Sequence, residues 1–184
     1  MSPAGVILRE ERAEDIAAIA PLFTSAFADD GTVARLVDLL RTTPAPLGPS
    51  SMVAEANGRI VGHVMLSHSR LDAPSRLVDV LVLSPLTVAP EAQGRGIGTA
   101  LVRRALEAAE ARGAPLVFLE GSPGYYGPRG FEAATPLGFR KPSLRIPDEA
   151  FQVARLSACQ PWMTGTLVYA DPFWAMDCVG LREG

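Results

Sequence analysis

The chain has 184 residues, 48% of them hydrophobic and 20% charged, which is enough apolar material for a buried core and excludes a disordered tail. Its 17 basic and 20 acidic residues leave a formal charge of −3. With no overall positive field, binding of nucleic acid through its phosphate backbone is not expected. The length predicts one domain over residues 1–184. Cys159 and Cys178 have no Cys-x-x-Cys spacing, so neither a disulfide scaffold nor a metal site is expected. The N-terminal stretch lacks the basic-then-apolar pattern of a signal peptide, and no apolar run reaches about 18 residues. The expected location is cytoplasmic, without a membrane partner.

Val6-Ile7-Leu8 begins a short strand, and acidic residues from Glu10 to Asp15 then sit where a helix dipole favours them. Ile16, Ile19, Ala20, Phe23 and Phe27 recur at helical spacing, with Pro21 expected to kink the helix or end its first part. A second helix is predicted over Thr32 to Arg41, with Val33, Leu36, Val37 and Leu40 on one face. The runs Ser51 to Ala56 and Arg59 to Leu66 flank Asn57-Gly58, the pair that best tolerates a type I′ turn, and predict a hairpin. On the alternation of its strand His63 shares a face with Val61 and Met65 and is read as packed, while His68 is read as a surface residue. The run Leu77 to Val88 is β-rich, and Ser84-Pro85 predicts a bulge within it. Ile97 to Arg112 is a strong amphipathic helix stopped by Gly113, and the strand Pro115 to Leu119 follows at once, making a right-handed parallel crossover. Phe151 to Leu156 and Thr166 to Ala170 read as two further strands.

The most specific motif lies between strand and helix, where Gln93-Gly94-Arg95-Gly96-Ile97-Gly98-Thr99 follows Leu86-Thr87-Val88-Ala89-Pro90. Positions without side chains let backbone N–H groups converge on phosphate oxygens, and the helix dipole adds favourable potential. A nucleoside-triphosphate loop would need Gly-Lys-Ser/Thr, and no lysine stands there. A dinucleotide fingerprint turns directly from strand into glycine, whereas five residues intervene here, and only 64 residues follow Glu120. Residues 93–145 carry eight basic and four acidic side chains, a balance of +4 that leaves −7 elsewhere. The near-neutral total thus conceals a polarised molecule.

Gln93-x-x-Gly96-x-Gly98 after Val88-Ala89-Pro90 resembles the acetyl-CoA loop of the GNAT superfamily of N-acetyltransferases, and Tyr126-x-x-x-Gly130-Phe131 resembles that family's Tyr-x-x-x-Gly-Phe element. The order of elements agrees, so the resemblance spans essentially the whole chain. It looks like a bacterial branch whose acceptors are undefined. The resemblance implies a mixed α/β fold, with a mostly antiparallel central sheet of about six to seven strands, one parallel crossover and about four flanking helices. It implies that Leu86, Thr87 and Val88 hold the pantetheine arm of acetyl-CoA, and that the loop Gln93, Gly94, Arg95, Gly96, Ile97, Gly98 and Thr99 holds the pyrophosphate. Arg129 is a further candidate for a phosphate contact.

By the same resemblance, a small-molecule or peptide amine attacks the thioester directly, and Tyr126 supplies the acid for the leaving thiolate, with Tyr125 one position away as its rival. The base stays open among Glu120, Asp79, His63, His68 and water. The aromatic run Trp162 to Trp174 either lines an acceptor pocket or packs in the core or in a homodimer. The alternative function is a non-catalytic acyl-CoA sensor or partner-binding module.

Overall fold

The computed structural model describes residues 3–27 and 29–181. Strand β1 (Val6–Glu10) leads through a short 3-10 turn into α1 (Ile16–Phe27), followed by α2 (Thr32–Thr42). Helix α1 runs through Pro21 rather than ending there. Pro21 and Ala17, whose carbonyl loses its helical partner, both lie on the solvent side, while Ile19 and Phe23 on the opposite side are buried.

β2 (Ser50–Ala56) and β3 (Arg59–Asp72) form the hairpin. Its turn residues, Asn57 and Gly58, both have positive φ, 50° and 72°, as a type I′ turn requires. β4 (Leu77–Val88) pairs antiparallel with β3 along nearly its whole length. The register passes from Val64↔Leu86 to Leu66↔Leu83, so β4 carries one extra residue at Ser84-Pro85, and the bulge falls where the proline predicts it.

α3 (Ile97–Ala111) closes with Gly113 at φ 70°, where Gly113 N–H reaches the Glu110 carbonyl and Ala114 N–H reaches that of Ala109 (3.0 and 3.1 Å). β5 (Leu116–Glu120) then lies parallel to β4, with register Leu81↔Val117 and Val82↔Phe118. The one-turn helix α4 (Pro123–Tyr126) follows, then the two-residue strands β6 (Glu132–Ala133) and β7 (Phe139–Arg140), β8 (Phe151–Arg155), β9 (Gly165–Val168) and α5 (Asp171–Ala175).

The sheet order is β1-β2-β3-β4-β5-β8-β6. β9 pairs with β3 at Arg70–Asp72, beyond the end of β2, and carries β7 in a second parallel pairing. The two-residue strands and α5 carry too little periodicity to be read from sequence. The fold is thus mixed α/β, with seven strands of four or more residues, as the resemblance implies.

Two apolar layers sandwich the sheet. One holds α1 and α2 through Ile19, Phe23, Leu36, Val37 and Leu40, against Val53, Met65, Val80, Val82 and Phe118. The aromatic C-terminal run joins this layer through Leu167, Tyr169 and Phe173, so it serves the core. The other layer holds α3 through Ile97, Leu101, Val102 and Ala105, against Val64, Leu66, Leu81, Leu83 and Val117. Among the described residues no helix is long and apolar enough to cross a membrane.

Candidate functional site

The bulge at Ser84-Pro85 ends the pairing of β4 with β5: beyond Val82 no residue of β4 has a β5 partner. The two strands splay, and a cleft of about 650 Å³ opens between them, α4 and the start of α3. The Ala89 N–H donates to the Val61 carbonyl (2.8 Å), so by the alternation of an antiparallel ladder Thr87 faces β3, while the backbone groups of Leu86 and Val88 face the cleft. The Gln93 amide donates to the Val88 carbonyl (3.0 Å) and folds the loop back over the strand end. One cleft-facing acceptor is thereby used, and the N–H groups stay free.

At the head of α3, Gly94 and Gly96 have φ of 73° and 80°, the left-handed region that favours glycine. Gly96 is the N-cap and supplies no side-chain cap. Among the described residues the N–H groups of Ile97, Gly98 and Thr99 find no acceptor, and the first helical bond is Ala100 N–H to the Gly96 carbonyl (3.0 Å). Such a bare, fifteen-residue helix N-terminus is a ready anion site. Leu86, Thr87, Val88, Gln93, Gly94, Gly96, Ile97, Gly98 and Thr99 all line the cleft. Arg95 does not, and it is exposed.

Both tyrosines of α4 line the cleft as well. A Cβ built on Gly98 would stand 2.1 Å from the Tyr125 hydroxyl, so that hydroxyl rests on the loop itself. The Tyr126 ring lies over Gly121, packs edge-on against Tyr125 and Phe131 at 4.9 and 5.7 Å, and is thereby held at the β5 side. Burial, aided by the neighbouring Tyr125, pushes the Tyr126 phenol up to about 12, against the opposing charge of Arg129. Arg129 also lines the cleft, its guanidinium 3.7 Å from the Tyr125 ring centroid and its Nε donating to Thr99 Oγ1 at 3.0 Å. Among the described residues Arg129 makes no ion pair with a carboxylate.

None of the four candidate bases lines the cleft. Glu120 is fully engaged: Tyr169 Oη and the Gly180 N–H donate to its two oxygens at 2.9 and 3.0 Å, which ties the C-terminal segment to β5. His68, expected at the surface, is half-buried, its side chain 11% exposed, and pairs with Asp79 at 2.7 Å, a contact that occupies both candidates. His63 is completely buried against Phe23 and pairs through Nε2 with Glu11 Oε2 at 2.8 Å. Sequence reasoning missed Glu11 and Arg41, whose Nε donates to Glu11 Oε1 at 2.7 Å. Both come from separate elements, and no local pattern announces the contact. Cys159 and Cys178 are free thiols, and among the described residues no cluster of metal-ligating side chains occurs.

A bare helix N-terminus beside a splayed strand pair accounts for what comparison with known proteins finds. Residues 8–134 match the acetyltransferase (GNAT) domain family. An uncharacterised N-acetyltransferase of Escherichia coli K12, YjhQ, is 32% identical over 126 residues, covering 66% of this chain and 69% of that protein. The structure of the Escherichia coli GNAT-family N-acetyltransferase YhbS in complex with CoA superposes with a TM-score of 0.79 at 26% identity, covering 94% of each chain. A GNAT-family acetyltransferase from Brucella melitensis in complex with acetyl-CoA gives 0.72 at 28% identity, covering 91% of this chain and 97% of that one. These likenesses define an acyltransferase. The chain belongs to the GNAT acetyltransferase family.

Proposed function

We propose that the protein transfers the acetyl group of acetyl-CoA to a primary amine of a small molecule or peptide by direct attack on the thioester. The observation that carries this reading is the joining, in one cleft, of the bare N-terminus of α3 to the unpaired edge of β4. The two neighbours solved with CoA and acetyl-CoA support the same ligand. The fit is chemical as well as geometric: free N–H groups and the unpaired Arg129 suit the pyrophosphate, while the strand edge suits the amide-bearing pantetheine arm.

In this reading the N–H groups of Gly94 through Thr99 hold phosphate oxygens, and the Leu86 and Val88 backbone extends the sheet onto the pantetheine arm. The Val88 N–H lies toward the thioester carbonyl and stabilises the charge that develops on its oxygen. Tyr126 is the residue for the leaving sulfur. Its phenol, held near 12, stays protonated at every physiological pH. Because that value stands above the roughly 8.5 of a thiol, its work is hydrogen-bond donation to the sulfur as the C–S bond breaks.

The test is thiol release from acetyl-CoA in the presence of a panel of amines, with the amide product identified by mass. Wild-type protein is expected to release thiol with at least one amine. Tyr126→Phe is expected to lower kcat about tenfold to a hundredfold with acetyl-CoA affinity little changed, since a leaving-group donor acts in the transition state. Tight acetyl-CoA binding with no product across the panel would favour a non-catalytic acyl-CoA sensor.

A further inference from the structure

Gly121 and Gln152 stand behind Tyr126, and acetyl transfer as described above leaves both idle. Gly121 follows β5 and leads into α4. Its φ lies outside the left-handed region, so backbone conformation gives no reason for glycine there. The reason is space: a Cβ at this position would stand 2.4 and 2.8 Å from Cε2 and Cδ2 of the Tyr126 ring. The Gly121 backbone is tied on both sides, its N–H donating to the Ala150 carbonyl and its carbonyl accepting from Gln152 Nε2, each at 2.9 Å. Gln152 is 2% exposed and lies in a strand paired on both edges, opposite Leu119 of β5 and Ala133 of β6. By strand alternation its side chain shares with Ala154 the face on which Tyr126 packs. A buried glutamine gives up hydration and rotamer freedom, so an apolar residue is the ordinary occupant of such a position. Here its amide holds the carbonyl of the residue beneath the ring.

We propose that Gly121 and Gln152 are positioning residues of the reaction: Gln152 fixes the Gly121 backbone, and the bare Cα of Gly121 sets the depth at which the Tyr126 hydroxyl meets the leaving sulfur. The proposal rests on the acetyl-transfer reading, with Tyr126 as donor to that sulfur. Neither residue lines the cleft, so both act through the ring. Tyr125 and Phe131 meet that ring edge-on at 4.9 and 5.7 Å and bracket its sides, while Gly121 is the surface it settles on. Carbon atoms pack at about 3.5–4.0 Å, so a methyl group on Gly121 has to displace the ring by about 1 Å. The ring is what yields, because the Gly121 backbone is held by two hydrogen bonds.

In the thiol-release assay with a reacting amine, Gly121→Ala is expected to lower kcat about thirtyfold, since a misplacement of ~1 Å costs up to about a hundredfold. Gln152→Leu, which frees the Gly121 carbonyl without adding bulk, is expected to lower it about threefold to tenfold. The acetyl-CoA Kd is expected to rise no more than about fivefold in either, because the misplaced contact belongs to the transition state. In a Tyr126→Phe background both substitutions are expected to change kcat less than about twofold, since the hydroxyl they misplace is already gone. A general defect of folding would instead lower kcat by the same factor in both backgrounds.

A second measurement does not depend on activity. The chain has three tyrosines, so carbon NMR of ring-labelled protein, with Tyr126→Phe for assignment, follows the Tyr126 phenol alone. Burial holds that phenol up at about 12 in the wild type, and the neighbours that also act on it, Tyr125 and Arg129, are the same in Gly121→Ala. A ring pushed from its seat into the cleft is more hydrated, so in this variant the titration is expected to fall toward the ordinary ~10. Undiminished kcat in a folded Gly121→Ala, a titration that does not move, or equal losses of kcat in the Tyr126→Phe background overturns the proposal and leaves acetyl transfer standing. Should Gly121→Ala not fold, Gln152→Leu carries the same comparison against Tyr126→Phe, and undiminished kcat there overturns the proposal. A wild-type protein that reacts with no amine, or a Tyr126→Phe variant as fast as wild type, removes the reading beneath it as well.

Discussion

Gly98 needs to be glycine for a reason that its φ does not supply. A methyl group there would meet the Tyr125 hydroxyl at 2.1 Å, whereas the next ring atom stands 3.5 Å away, so the conflict is with one oxygen. Gly98→Ala is therefore expected to push Tyr125 into the cleft and raise the acetyl-CoA Kd about tenfold, an effect of ~1.4 kcal/mol. Tyr125→Phe removes the offending oxygen, so the double variant is expected to bind within about threefold of wild type. Calorimetric titration of the three proteins checks it, and a double variant no better than Gly98→Ala would show that the contact is not what matters. The same residue-level view explains what the sequence could not supply about the surroundings of His63. His63 reads correctly as a packed residue from strand alternation, but its partner Glu11 lies 52 positions away, and the open Nδ1 is a property of packing alone.

At the scale of elements, the chain was most legible where one local cause dominates. Asn57-Gly58 fixes its hairpin because two positive φ angles are needed in a row. Ser84-Pro85 places the bulge because proline withdraws a ladder donor, and that bulge splays β4 from β5 and opens the cleft. The glycine loop and the Tyr126-to-Phe131 segment were legible together through their resemblance, and the structure brings them to opposite walls of one cleft. Of the two outcomes expected at Pro21, an end to the helix does not occur: α1 continues through it, with Pro21 facing water while Ile19 and Phe23 anchor the helix. β6 and β7 were hard to see for the opposite reason: each is two residues long, and their pairing depends on the edges of β8 and β9.

Over the whole molecule, charge is tied to stability as well as to binding. Arg9 on β1 is held between Asp15, at 2.6 and 2.9 Å, and Glu55 on β2, at 3.0 Å, which fastens the start of α1 to the sheet edge. Those Arg9 hydrogen bonds, outweighing burial, bring the Asp15 carboxyl down to about 2 from its ordinary 3.8. A lowered carboxylate contributes stability that is complete above its unfolded value and disappears as pH falls through its folded one. The contribution is about 2 kcal/mol near neutrality and is lost between pH ~4 and ~2. Urea unfolding of wild type and Asp15→Asn is expected to differ by that amount at pH 6 and to coincide near pH 2; an unchanged difference at pH 2 would assign the loss to something other than this ion pair. Of the eight basic residues in the stretch 93–145, Arg129 lines the cleft, while Arg103 and Arg104 pair with Glu107, Lys141 with Asp148 and Arg145 with Asp177, so the +4 counted along the sequence does not gather as one patch at the cleft.

Everything proposed about chemistry depends on the cleft at the head of α3 taking acetyl-CoA through backbone N–H groups. Calorimetric titration of acetyl-CoA into wild-type protein and Gly96→Asp tests this most directly, because a carboxylate at the helix cap sets a negative charge against the pyrophosphate and strains a residue at φ 80°. The expected result is saturable binding by wild type and a loss of at least about a hundredfold, roughly 2.7 kcal/mol, in a variant that remains folded by circular dichroism. Equal affinity in the two proteins would contradict the assignment.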